Sequence, residues 1–306
     1  VNSGTAALNL ALSAAKIENT EVILPSLTFV STANAVMING AKPVFADVDP
    51  INLCIDPQSI KKLITKKTSV ILPVHFAGMP CELNEIINIC KEKNLTLVED
   101  AAHAVGSKYK NKRIGRHGDF VCFSFHPVKN LAMPTGGIIS INHKNYKKIN
   151  RYLKAMRWCG ITDRKGSFYD VKDLGNNYYM NEFSAAIGLM QLKKINKMNN
   201  RRKEIAKRYD TEITIEKKIS FRKYCSYHIY WILVKNRRNF MKMMTNNGVE
   251  TGIHYKPVHS FSLYKNSTKL PITEKISKQI VSIPMHANIS DDNADRIIRL
   301  VNKFAK

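Results

Sequence analysis

The chain has 306 residues, with 48 Lys and Arg against 24 Asp and Glu, and so a formal net charge of +24. At 44% hydrophobic and 24% charged it has the composition of a globular protein with a substantial core, not of a disordered or fibrous one. No apolar run approaches the ~18–20 residues needed to cross a bilayer, which leaves nucleic acid, an anionic surface or an anionic substrate as partners for the excess positive charge.

The chain begins with Val1-Asn2-Ser3-Gly4-Thr5. This already has the pattern of a domain interior, so a shortened N-terminus is expected, and no signal peptide is visible. Ser3 to Leu8 form a small, hydroxyl-bearing turn leading into an apolar-periodic helix over 5–15. Exposed N–H groups at such a helix start can bind phosphate, although an ordinary Ser/Thr cap explains the pattern equally well. Apolar runs predict strands over 21–25, 43–47, 69–75, 96–100, 120–126 and 137–141. Helical patterns fall between them at 31–38, 57–64 and 83–93. This alternation predicts an α/β fold with a mostly parallel sheet flanked by helices.

Two strand ends carry polar groups. The run Leu97-Val98-Glu99-Asp100-Ala101-Ala102-His103 ends in two carboxylates. Open α/β sheets bind ligands beyond such ends, where Asp100 could pair with a charged ring nitrogen or simply cap a helix. Phe123-Ser124-Phe125-His126-Pro127-Val128-Lys129-Asn130 ends in a lysine, whose amine can condense with an aldehyde cofactor if held nearby.

From Tyr146 the rhythm changes. A helix is predicted over 146–156, and 159–178 is irregular. Asn181 caps a long helix to about 199, with Phe183, Ile187 and Met190 as a stripe buried in the core or a subunit interface. Further on, strands are predicted at 228–234 and 250–255, and helices at 239–247 and 291–304. The division is a large domain over 1–208 and a small C-terminal α+β domain over 209–306.

Other chemistries lack their signatures. Six cysteines form no CxxC pair, which argues against zinc and for a reducing, cytoplasmic setting. There is no GxGxxG after the first strand and no GxSxG elbow. His254 and His259 flank Tyr255-Lys256-Pro257-Val258 and are expected in a loop near the substrate, not as metal ligands. His75 and His117 read as structural or surface residues. Basic clusters at Lys61-Lys62, Lys108 to Arg116 and Arg201 to Lys203 accompany no nucleic-acid-binding motif and read as solvated surface.

Taken in order, these segments resemble the DegT/DnrJ/EryC1/StrS family of sugar aminotransferases. The resemblance runs on through Pro25 to Asn34, Gly40 to Asp49, Pro73-Val74-His75, Ala185 to Gly188 and Gly252-Ile253-His254-Tyr255-Lys256-Pro257. It implies the type I fold of enzymes dependent on pyridoxal 5'-phosphate (PLP), and a homodimer with shared active sites. Lys129 then corresponds to the Schiff-base lysine and proton shuttle. Asp100 corresponds to the partner of the pyridine nitrogen. Gly4, Thr5 and Ser124 correspond to the phosphate cradle, His103 to a ring contact and Phe29 to a ring-face contact. Asn177 corresponds to a residue reaching the neighbouring subunit's cofactor, and His254, Tyr255 and His259 are placed near the substrate. The implied reaction aminates a nucleotide-linked 4-keto sugar, with glutamate as donor. Two departures stand out: Thr135 stands where the family has Glu, which bears on substrate preference, and Tyr179 where many members have Arg, which bears on the cross-subunit contact. A PLP-dependent sugar dehydratase of the family would carry His in place of Lys129. A non-catalytic relative would not need the full set of Asp100, His103, Ser124 and Lys129. A basic nucleic-acid-binding protein rests on charge alone.

Overall fold

The structure is a computed structural model, which describes residues 1–265 and 268–305. Helix α1 (Gly4–Ala14) is capped by Ser3, whose hydroxyl accepts from the Ala6 N–H at 3.0 Å. There follow β1 (Glu21–Pro25), α2 (Ser31–Ile38), β2 (Lys42–Ala46), α3 (Pro57–Leu63), β3 (Thr68–Ile71), α4 (Leu83–Lys93) and β4 (Thr96–Asp100). A small hairpin of β5 (Lys108–Tyr109) and β6 (Lys112–Arg113) precedes β7 (Phe120–Ser124), β8 (Gly137–Ile141) and α5 (Tyr146–Met156).

The main sheet has the order β2-β1-β3-β4-β7-β8. Five strands run parallel, and β8 is antiparallel to β7. The expected fold is therefore present. Successive side chains of a strand face opposite sides, and the core divides accordingly. Val22, Leu24, Val70, Val98, Phe120 and Cys122 pack with α1 and α2. Ile23, Ile71, Leu97 and Val121 pack with α4 and the C-terminal elements. The strand expected over 69–75 shortens to end at Ile71. Its continuation still pairs, through Leu72 N–H to the Ile23 carbonyl at 2.8 Å, but Pro73 has no N–H to extend the ladder.

After β8 the expectations need correction. The stretch 159–178 holds a hairpin, β9 (Ile161–Lys165) with β10 (Phe168–Val171). Helix α6 (Glu182–Glu212) is capped by Asn181 as expected but runs well past 199, through the boundary drawn at 208. No Gly or Pro interrupts it between Leu189 and Glu212, and Asn199 is held by its own amide bonds. The stripe expected for the core or a subunit interface does not lie in the core of its own chain. Phe183 is 84% exposed, and Ile187 and Met190 are exposed too. The inward face is instead Ser184, Gly188, Ile195, Asn199 and Arg202. Gly188 lies so close to Met133 that a Cβ would meet its sulfur at 2.7 Å. Small residues buy close approach there, and apolar periodicity does not see them.

The chain closes with β11 (Tyr230–Leu233), α7 (Arg237–Asn246), α8 (Pro271–Gln279), β12 (Ile280–Ile283) and α9 (Asp291–Phe304). The strand expected over 250–255 is only a bridge between Gly252 and Ser282. Helix α8, opened by Pro271 at its first turn, and β12 were not anticipated. Among the described residues no helix is long and apolar enough to cross a membrane.

Asp47, just past β2, ties the two halves of the chain. Its carboxylate accepts from the Thr273 N–H at 2.8 Å, the Thr273 hydroxyl at 2.6 Å and the Ile272 N–H at 3.0 Å, and so caps α8. Asp47→Ala should destabilise the protein by about 3 kcal/mol, because it leaves buried donors unpaired. A lowered denaturant midpoint would show this, with Asp47→Asn losing less. An unchanged midpoint would refute the capping role.

Candidate active site

A cleft of about 360 Å³ opens beyond the carboxyl ends of β1, β4 and β7. Its wall includes Ser3, Gly4 and Thr5 at the start of α1, and Phe29 after β1. Asp100 ends β4 and His103 follows it, Ser124 ends β7 and Lys129 follows it, and His254 and Tyr255 come from the C-terminal part. Segments far apart in sequence thus converge where strand polarity brings them.

On β4, neighbouring carboxylates go opposite ways. Glu99 points into the core, where His75 is bonded to it at 2.7 Å. The Cys81 N–H donates to His75 Nδ1, so the imidazole proton sits on Nε2, facing Glu99. His75 is therefore a buried structural residue. Asp100 points into the cleft. Thr32 Oγ1 donates to its Oδ2 at 2.9 Å and the Ala102 N–H to its Oδ1 at 3.1 Å. Burial raises the Asp100 pKa, against these hydrogen bonds and the nearby Lys129 charge. No salt-bridge partner stands within reach of it among the described residues.

Lys129 follows a turn closed by its own N–H to the His126 carbonyl at 2.8 Å. Burial lowers the amine pKa from 10.5 to about 8, and Asp100 pulls the other way. Its Nζ lies 3.5 Å from His228 Nε2. The His103 ring lies tilted against His228 at a ring-centroid distance of 4.3 Å, and its Nε2 lies 3.2 Å from the Tyr255 hydroxyl. His103 Nδ1 is buried without a hydrogen-bond partner among the described residues. Burial and the Lys129 charge push the His103 pKa well down, so its ring is neutral. His254 is held by Ser282 at 2.9 Å.

The start of α1 approaches β7 closely. A Cβ on Gly4 would meet Ser124 Cβ at 2.6 Å. Ser3 caps only the Ala6 N–H, and the first N–H groups of a helix have no partner within it. The Gly4 and Thr5 N–H groups and the Ser124 hydroxyl therefore make an anion cradle at one end of the cleft.

Of the expected site residues, Gly4, Thr5, Phe29, Asp100, His103, Ser124, Lys129, His254 and Tyr255 share this cleft. His259 does not line it. It is buried against Phe45 and bonded to Ser26 Oγ at 2.6 Å, because the turn after Pro257 carries it inward. Asn177 is exposed and lies outside its own chain's cleft, its carbonyl accepting from Asn2. Thr32 and His228 were missed. Thr32 carries only a helical position in a small-residue run. His228 was placed within a predicted strand, although a polar residue just before β11 could have marked it.

Comparison with known proteins gives the family. The model of the DegT/DnrJ/EryC1/StrS aminotransferase family matches residues 1–302. The chain belongs to that family. An uncharacterised protein of Methanocaldococcus jannaschii is 33% identical over 99% of this chain and 84% of its own length. The Helicobacter pylori aminotransferase PseC, involved in the biosynthesis of pseudoaminic acid, has a similar structure. Its TM-score is 0.93 at 29% identity, over 99% of this chain and 85% of that one. A Streptococcus pneumoniae protein solved in a PLP-form has a TM-score of 0.94 at 27% identity, over 99% of this chain and 86% of that one.

Aminotransferases of this family depend on PLP, and the residues present fit that group. The cradle suits its phosphate, and Asp100, buried with no salt-bridge partner among the described residues, suits a protonated pyridine nitrogen. The orphaned His103 Nδ1 is a polar atom that wants a partner, and Lys129 offers an amine that is half deprotonated at about pH 8. A lysine with this pKa should react with formaldehyde and cyanoborohydride with a pH midpoint near 8, read by peptide mass spectrometry. A midpoint near 10.5, the ordinary value, would show that burial does not depress it.

Proposed function

We propose that this aminotransferase converts a nucleotide-linked keto sugar, with the ketone at the sugar's C4, into an amino sugar, and takes the amino group from glutamate. The observation that carries the reading is Lys129 and Asp100 on one cleft with an anion cradle, in a chain of this family. The similarity to PseC, named for the biosynthesis of a sugar, supports the substrate class.

PLP, when bound, supplies a carbonyl carbon that carries the amino group and a ring that takes up electrons. Gly4, Thr5 and Ser124 would hold its phosphate, Asp100 its ring nitrogen and Lys129 its aldehyde. Phe29 would lie on a ring face and His103 would contact the ring. Lys129 Nζ would take the proton from the donor's α-carbon as general base and return a proton to the sugar carbon as general acid. A pKa near 8 leaves both protonation states accessible, as that double task requires. His254 and Tyr255 stand at the cleft wall for the sugar. The positive net charge favours an anionic nucleotide. Lys129 disfavours the dehydratase alternative, and nothing beyond charge supports nucleic-acid binding.

The division into 1–208 and 209–306 is part of this reading, with His254 and Tyr255 brought to the site by the smaller part. So is a homodimer. Phe168, Leu174, Phe183, Leu189 and Leu192 are all exposed, and a second copy would cover them and bring Asn177 to its neighbour's cofactor. Phe183→Asp combined with Leu189→Asp should give a monomer by light scattering; an unchanged mass would overturn this surface as the interface.

The reaction is tested on the purified protein with PLP. The absorbance of the bound cofactor should change with glutamate and recover with a 4-keto sugar nucleotide, and Lys129→Ala should abolish both changes. Recovery with a 3-keto sugar nucleotide alone would correct the carbon assigned. No response to any keto sugar would overturn the reading.

A further inference from the structure

Behind Lys129 lies a chain of amides that reaches into the core. Asn199, on α6, places Nδ2 2.9 Å from the Val105 carbonyl. A carbonyl only accepts, so this contact fixes which end of the Asn199 amide is nitrogen. Its Oδ1 then faces Asn130 Nδ2 at 3.0 Å. Asn130 Nδ2 also donates to the Ser226 carbonyl at 2.8 Å, so two acceptors fix the Asn130 amide as well. Asn130 Oδ1 is left as an acceptor facing His228 Nδ1 at 3.2 Å. His228 must then carry its proton on Nδ1, and Nε2 presents a bare lone pair to Lys129 Nζ at 3.5 Å.

We propose that His228 is a positioning residue for Lys129, with its Nε2 held as a permanent acceptor by the Asn130–Asn199–Val105 amide relay. This deepens the transamination reading and rests on Lys129 being the reacting amine. An acceptor at Nε2 draws one N–H of Lys129 away from the cleft, so the remaining valences of the nitrogen face the reacting carbons. It also favours the ammonium form against the burial that opposes it.

The surroundings keep His228 neutral. Burial lowers its pKa well below the ordinary value, and the charges of Lys129, Arg202 and His254 add to this. His103, in tilted contact with it, is itself pushed down, and among the described residues no carboxylate appears among the groups that act on His228. The segment cannot shift easily to the other tautomer's geometry. Ser226 is pinned by its N–H to Ser107 Oγ at 3.0 Å and by its hydroxyl to the His103 carbonyl at 3.0 Å.

The test uses the full chain without turnover, so its failure is distinct from failure of the transamination reading. Histidine labelled with ¹⁵N is followed by long-range ¹H–¹⁵N correlation, with His228→Gln assigning the signal. The expected result is protonated Nδ1 and bare Nε2, with the tautomers mixed in Asn130→Ala. In parallel, the pH midpoint of Lys129 labelling by formaldehyde and cyanoborohydride is measured. His228→Leu should lower it by about one unit, whereas His228→Gln, which keeps an acceptor, should stay near the parent. A protonated Nε2 in the parent protein, or equal midpoints in the parent and His228→Leu, would overturn the assignment. If His228→Leu does not fold, the tautomer of the unaltered protein decides.

Discussion

The site depends on one unfavourable arrangement: a buried carboxylate and a half-buried amine in the wall of one cleft. Burial penalises the charged form of each. Asp100 is pushed up and Lys129 down, each partly relieved by the other's charge. Folding alone gains little from such a pair. A ligand that brings a cationic ring nitrogen to Asp100 and an aldehyde to Lys129 relieves both groups at once. The surrounding polar atoms are set by the same logic. Thr32 and the Ala102 N–H keep the Asp100 carboxylate partly satisfied. The bond between Glu99 and His75 is kept on the far side of the strand.

The sheet makes this arrangement possible. Parallel strands put their carboxyl ends on one edge, so Phe29, Asp100 and Ser124 arrive together although they are far apart in sequence. Helix α1 brings its N-terminus to the same edge because Gly4 has no side chain to collide with Ser124. The Asp47 cap on α8 then joins the C-terminal part, which carries His228, His254 and Tyr255, to the sheet.

Much of this was legible in the sequence. Buried parallel strands read as continuous apolar runs, and the polar residues ending them read as site candidates. Residues whose role comes from tertiary contact were not legible. His228 acts through an amide chain whose members lie near positions 105, 130, 199 and 226. His259 carried a plausible local pattern but is turned into the core by the bend after Pro257. The inward face of α6 is built from Ser, Gly and Asn, so its apolar periodicity marked the outward face instead. Helix α8 and β12 follow directly on one another with no turn residues between them to separate the patterns.

The central claim is that Asp100 and Lys129 grip the two ends of one cofactor ring. It is tested most directly by the ¹⁵N resonance of pyridine-labelled PLP bound to the protein near neutral pH. The account predicts a protonated ring nitrogen in the parent protein and a deprotonated one in Asp100→Asn. The same resonance in both would contradict it.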